Sequence, residues 1–410
     1  SPALPTALML QAKIHELAGE YDRAVKKLLS AIRTYQERAA ADRDNLETLE
    51  SLCGARVYLG TVYRRLGQVA AEQAMYQDAI ADYDLLLNAL PAAPEYRKNR
   101  ALTQIDLAQS HLVGDNVLAA LELADKATAE FAALRRDLPQ QSELFALQAA
   151  GELTLASIKN ELGRFASAQA DGERAVDTYE AFVRNGHIRY RRDLAEARRT
   201  LAYAVANQPE QAGDAAAEYE AAIELLMTLT EQEPDVPEYH DLLARTCSDY
   251  DEWLYGSGET AAAAGMFERA RGEWQHVAAL DGASPEYLNH FVWFSAMCGD
   301  VAFRDAERTL KLAERIRNAA PKNSAYLISV ALGHWRNGNT ESCRQFAELA
   351  VQQRAQSGPA GTALVLQSLT ANSEDADSLL QSARAEIAEQ HAGNLYVQRL
   401  LAEAVVQNGS

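Results

Sequence analysis

The chain has eight histidines and four cysteines, the residue types most able to hold a metal or act as nucleophile and base. The histidines are His15, His111, His187, His240, His276, His290, His334 and His391. No pair has the H-E-x-x-H spacing that puts two imidazoles on one helix face around zinc. Cys53, Cys247, Cys298 and Cys343 form no C-x-x-C pair, which argues against a zinc cluster or a disulfide framework. They read as buried thiols behaving as small hydrophobes. There is no G-x-S-x-G and no G-x-x-x-x-G-K-[ST]. Gly256-Ser257-Gly258 comes nearest to a phosphate-cradling loop, lacks the third glycine, and reads as a turn. Asp249, Asp251 and Glu252 read as a solvated helix face rather than a general acid–base pair. The sequence therefore predicts no catalytic residue, no metal and no cofactor.

Charge narrows the partners. The formal net charge is −19, which repels nucleic acid and anionic membrane and favours neutral or basic proteins. No uninterrupted apolar run approaches the length of a membrane span. One basic island stands against this background: Arg184, Arg189, Arg191, Arg192, Arg198 and Arg199, opposed within the run by Asp193 and Glu196. Such a cluster can bind carboxylates or phosphates bidentately. The plainer reading, which the sequence favours, is pairing with acids of neighbouring repeats. The chain opens at Ser1 without a methionine and reads as a piece of a longer or processed protein.

The elements that position these residues repeat. P-E-Y-R begins at Pro94, S-E-L-F at Ser142, I-R-Y-R at Ile188, P-E-Y-H at Pro237, P-E-Y-L at Pro285 and S-A-Y-L at Ser324. The third letters are Tyr96, Leu144, Tyr190, Tyr239, Tyr287 and Tyr326, at steps of 48, 46, 49, 48 and 39 residues. A fixed period of this size marks stacked repeats. Each unit reads as two amphipathic helices, as in Leu59, Gly60, Tyr63 and Leu66, a stop at Gly67, then Tyr76, Ala79 and Leu85 before Pro91 and Pro94. The recurring tyrosine reads as a packing residue. This small–large alternation resembles the tetratricopeptide repeat (TPR) pattern, whose period is 34. The extra length, about 14 residues by comparison with that period, is expected in the second helix and the following loop.

The predicted fold is all-α, a right-handed α-α superhelix with lengthened TPR-like repeats. Residues 1–44 read as an N-terminal helical pair, 45–353 as about seven helix pairs, and 354–410 as a degenerate cap. In the cap, Ser357-Gly358-Pro359 breaks the chain before helices near 360–371, 375–389 and 393–407. In such a superhelix the first helix of each pair lines the concave face. Arg64, Gln104, His111, Ser157, Asn160, Asn207, Arg245 and Glu252 are the residues expected to point into a peptide-binding groove there.

Three stretches are similar to the C-terminal TPR regions of planctomycete-type serine/threonine protein kinases. They are Arg56–Ala79 with the following P-A-A-P-E-Y-R, Asn289–Ile316 with Trp293, Phe294, Cys298, Asp300, Arg304 and Asp305, and Tyr326–Gly338. The chain departs from that pattern at the paired asparagines of the first helices, replaced by Val57-Tyr58, Gln104-Ile105 and Leu153-Thr154. Gly299 stands where the family has proline. The resemblance implies a sensing or docking region that follows a kinase domain and a membrane-spanning segment, with a protein or peptide partner. No H-R-D, D-F-G or G-x-G-x-x-G lies in this chain. A structural spacer, or a self-association scaffold giving homo-oligomers, is the competing reading.

Overall fold

The computed structural model describes residues 3–42, 44–114, 116–210, 212–280, 283–321, 323–353, 361–371 and 373–408. The Ser357-Gly358-Pro359 break lies outside them. Among the described residues the regular structure is helical throughout. The pairs are α1 (Leu4–Leu17) with α2 (Tyr21–Ala41), α3 (Leu46–Arg65) with α4 (Val69–Ala89), and α5 (Pro94–Val113) with α6 (Val117–Asp137). They continue as α7 (Ser142–Glu161) with α8 (Phe165–Arg184), α9 (Arg191–Ala206) with α10 (Ala215–Gln232), and α11 (Pro237–Gly256) with α12 (Thr260–Ala279). Then come α13 (Pro285–Met297) with α14 (Ala306–Ala319), α15 (Ser324–Arg336) with α16 (Thr340–Gln353), α17 (Gly361–Ser368) with α18 (Ser373–Gln390), and a last helix, α19 (Leu395–Asn408).

Two compact units divide the chain, residues 1–151 and 152–410, with the division inside α7. In the first, α1 to α6 pack each on the next. In the second, α8 to α19 do the same, and the first helices α9, α11, α13, α15 and α17 also touch one another in succession. Helix pairs whose first helices stack in series make the chain an all-α, TPR-like solenoid.

The lengthening is not where the sequence reading put it. Helices α5 and α6 have 20 and 21 residues, whereas α13 and α14 have 13 and 14. The connection before the next first helix is unchanged, residues 138–141 after α6 and 320–323 after α14. Both helices, and not the loop, take up the stretch, about seven residues each. Seven residues are close to two turns, so the apolar face stays within about 20° of its register. An insertion of that size lengthens the pair without turning a buried side chain to water.

Helix starts and stops follow local chemistry. Pro94, Pro237 and Pro285 open their helices, with Glu95, Glu238 and Glu286 in the first turns facing the positive end of the dipole. Gly67, at φ +64°, closes α3. Its N–H reaches Arg64 O at 2.9 Å while Gln68 N–H reaches Tyr63 O at 3.0 Å, the doubled bond pattern of a glycine-capped helix end. At the recurring position Tyr190 lies on Phe182 with ring centroids 4.9 Å apart, Tyr326 and Leu144 are buried, and Tyr96, Tyr239 and Tyr287 are half-buried.

In the first unit Gly60 lets α3 meet α4. A Cβ there would lie 2.5 Å from Tyr76 Cε1, and Tyr76 is fully buried. Gly60→Ala should destabilise the first unit by about 2 kcal/mol, the scale of overpacking. Urea unfolding followed by exchange in residues 46–89 would read this.

Candidate functional site: the seat of the C-terminal helix

The second unit brings the ends of its first helices together around one segment of its own chain. Gly163, at φ +69°, turns the chain out of α7. Against that turn lies Gly393, whose N–H donates to Glu161 O at 2.8 Å. A Cβ on Gly393 would stand 1.7 Å from Asn160 O, so no other residue fits without a shift of backbone. The Glu161 carboxylate lies 2.6 Å from His391 Nδ1 and accepts from Asn394 Nδ2 at 3.0 Å. On α9 the Tyr203 hydroxyl donates to Gly393 O at 2.7 Å.

Helix α19 follows, opened by the Asn394 side chain accepting from Val397 N–H at 3.1 Å. Its apolar side, Val397, Leu400 and Ala404, packs into a cluster with Leu364, Leu380 and Ile387. Its other side carries Tyr396, Arg399 and Glu403 at i, i+3 and i+7, one stripe of a helix. The Tyr396 hydroxyl and Ser248 Oγ of α11 are 2.7 Å apart. Arg399 holds Glu252 of α11 with both ends of its guanidinium, at 2.7 and 3.0 Å, and also donates to Met297 O at the end of α13. Glu403 accepts from Arg304 at 2.7 Å and from Arg336 of α15 at 2.9 Å. The last turns of α7, α9, α11, α13 and α15 thus each contribute to one seat.

Gly299 completes it. Its N–H donates to Glu252 Oε1 at 2.7 Å. A proline at this place would have no N–H to give.

Electrostatics in the seat are uneven. Burial would raise the Glu403 carboxyl, but Arg336 and Arg304 outweigh it and hold it below the usual value. Asp251 is fully buried with no hydrogen-bond partner for either oxygen. Burial, then the neighbouring Glu252 and Asp249, push it well above the usual carboxylate range, and Arg399 opposes them. The solvated face expected at Asp249, Asp251 and Glu252 is therefore covered: Asp251 and Glu252 are buried, Glu252 pairing with Arg399, and the half-buried Asp249 pairs with Arg199 at 2.7 Å. Three acids in four positions look like surface, but α19 covers this part of α11.

The sign of the pH dependence follows. A raised carboxyl makes the folded state take up a proton that the unfolded chain does not hold above about pH 4. Its favourable share is present at low pH and is lost as pH rises toward the raised value. Asp251→Asn removes that loss, so the variant should gain Tm over the natural protein at pH 8 and much less at pH 5, by thermal scans at both.

The residues expected to point into a groove fall in different places. Glu252 lies in the seat, and Asn160 borders it through its carbonyl while its side chain donates to Thr200 O at 2.9 Å. Asn207 Nδ2 folds back on Tyr203 O at 2.8 Å, just past the end of α9. Arg245 is half-buried on α11, its pKa lowered by burial and then by Arg199. Ser157 is half-buried on α7. In the first unit Arg64 binds Glu72 at 2.7 Å and Asp106 O at 2.9 Å, joining α3, α4 and α5. Gln104 is buried, and His111 is half-buried with its pKa lowered by burial.

The arginine island is largely tied to acids on neighbouring elements. Arg192 pairs with Glu196 and Glu238, Arg198 with Glu218, and Arg199 with Asp249. Arg184 reaches Glu180 at 3.1 Å, and Arg189 lies over the Tyr190 ring. Arg191 is half-buried at the start of α9.

Histidines pair singly with carboxylates, as His240 with Glu273 at 2.6 Å and His290 with Asp241 at 2.9 Å. Among the described residues no group of three or more His, Cys, Asp or Glu is placed to hold a metal. All four cysteines are free and buried, and burial raises Cys247, Cys298 and Cys343 to about 12. Among the described residues no helix is long and apolar enough to cross a membrane.

His391, Gly393, Asn394, Tyr396, Arg399 and Glu403 were not singled out by sequence reasoning for this site, His391 having been weighed only as a metal ligand. The one signal was Ala392-Gly393-Asn394, which reads as a plain turn.

No protein-family model matches the chain, and no curated protein matches it. Among solved structures it is similar to the apo form of RapI, with 12% identity over 86% of this chain and 98% of that one and a TM-score of 0.49. Yeast Tom70 aligns at 13% identity over 99% of this chain and 88% of its own, with a TM-score of 0.35. A tetratricopeptide repeat protein from Parabacteroides merdae ATCC 43184 aligns at 13% identity over 90% and 99%, also at 0.35.

Proposed function

We propose that this chain is a protein-interaction module, without chemistry of its own, that holds a peptide or protein segment against the ends of its first helices. The observation that supports this most is the seat itself. A two-ended Glu252–Arg399 pair, a Ser248–Tyr396 contact and an Arg304/Arg336 clamp on Glu403 are side-chain contacts of the kind that read a partner helix. The net charge of −19 favours a neutral or basic protein over nucleic acid.

The resemblance to planctomycete-type kinases extends the proposal. The chain would be the sensor or docking region of a serine/threonine kinase whose catalytic domain is not in this sequence. Gly299, with its N–H on Glu252, marks where this chain would differ from that family.

An array of helical and extended peptides probed with the full chain at two salt concentrations tests the module. Saturable binding that weakens on Glu252→Ala or Gln109→Glu supports it, Gln109 being exposed on a first helix of the first unit. The competing spacer reading is favoured by one observation, that α19 already covers the seat. No peptide binding, with dimers growing in with concentration, would favour the spacer.

A further inference from the structure

We infer that the seat of α19 is an exchangeable docking site for a partner's basic amphipathic helix presenting Tyr, Arg and an acid at i, i+3 and i+7, with α19 as its internal competitor. This rests on the interaction-module reading above and names its partner class.

Three features of the seat carry it. First, the polar contacts are made by side chains on one stripe of α19, so any helix with that stripe can make them. Ser248 takes the tyrosine hydroxyl, Glu252 takes the guanidinium, and Arg304 with Arg336 takes the carboxylate. Second, the entry turn is shape-selective. Only glycine fits at 393, with its N–H on Glu161 O and its carbonyl under Tyr203. A partner helix therefore needs a Gly-Asn-like start ahead of its tyrosine.

Third, α19 does not fully satisfy the site. Asp251 is buried with both oxygens unpartnered, and the cation acting on it, Arg399, is bound to Glu252 and Met297 O instead. Asp251 is held toward its neutral form, and α19 offers neither of its oxygens a donor. A buried polar group without a partner costs free energy that a better-matched occupant would recover. A partner with a second donor beside its arginine gains that advantage over α19, which sets the partner's chemistry as basic. Helix α19 stands outside the helix pairs and is joined to α18 only through residues 391–394, so its departure need not break a repeat.

The test titrates a fluorescein-labelled synthetic peptide with the sequence of residues 388–408 into the full chain. Three proteins are compared: the natural chain, Gly393→Val, and Arg399→Glu. Both substitutions are chosen to unseat the internal helix, by a clash at Asn160 O and by loss of the Glu252 pair, while leaving the side chains of Ser248, Glu252, Arg304 and Arg336 unaltered. Exchange of residues 395–408 confirms the release. The expected result is binding about tenfold tighter to each variant than to the natural chain, about 1.4 kcal/mol of lost competition. Adding Glu252→Ala to Gly393→Val should remove that gain, and a peptide with Glu at the Arg399 position should not bind. Lysine beside the arginine in the peptide should tighten binding further.

Equal or absent binding to the released variants overturns the exchange. So does failure of both substitutions to release residues 395–408, which makes α19 a fixed part of the fold. If peptides from the array still bind and ignore Glu252→Ala, this inference fails and the broader module survives.

Discussion

Replacing Glu252 with alanine is expected to free residues 391–408 from the second unit and to cost about 3 kcal/mol of local stability, the low end of what breaking a buried ion pair costs. Its side chain is 5% exposed and that of Arg399 is 25% exposed, so the pair is partly shielded from water. Loss of the carboxylate leaves the Gly299 N–H without its acceptor and the Arg399 guanidinium with only the Met297 carbonyl. The partial exposure of Arg399 keeps the effect at the low end, because water can recover some of its charge. Arg399→Ala should cost less, since Glu252 keeps the Gly299 N–H. The double variant should show a coupling of about 1 kcal/mol or more, as contacting partners do. A chain built of two units is not a two-state folder, so the energies are best read as local opening by hydrogen exchange.

Gly393→Ala is the second large effect, and it has a different physical basis. A methyl group placed 1.7 Å from Asn160 O must move backbone on one side or the other. The bonds at stake are Gly393 N–H to Glu161 O and Tyr203 OH to Gly393 O. Repulsion of this kind costs about 3 kcal/mol, at the upper end for overpacking, and salt should not change it. The Glu252→Ala effect should shrink in high salt where Arg399 meets water. Exchange in 391–408 at two ionic strengths separates the two causes.

The fold was legible because its signal is local. The interval between P-E-Y phrases, the glycine stops and the small–large alternation each depend on a few neighbouring residues. The distribution of the extra length was not legible. Seven residues added to a helix preserve its face, so nothing in the alternation shows which of the two helices grew. The seat was half legible. Glu252 was read as lining a groove because its position on a first helix is periodic. Its occupant was hidden: the bond from Arg399 to Glu252 spans 147 positions, and that from His391 to Glu161 spans 230. Nothing in the spacing of Tyr396, Arg399 and Glu403 separates a seated stripe from an ordinary exposed one. Asp251 was misread for the same reason, since its burial depends on a helix that far along the chain.

Hydrogen exchange across the full chain, natural protein against Glu252→Ala, tests the seat most directly. The predicted result is faster exchange in residues 391–408 and in the turns at 161–164 and 297–304, with α3 to α6 unchanged. Unchanged exchange in 391–408 would contradict the account, because the Glu252–Arg399 pair would then contribute nothing to holding α19.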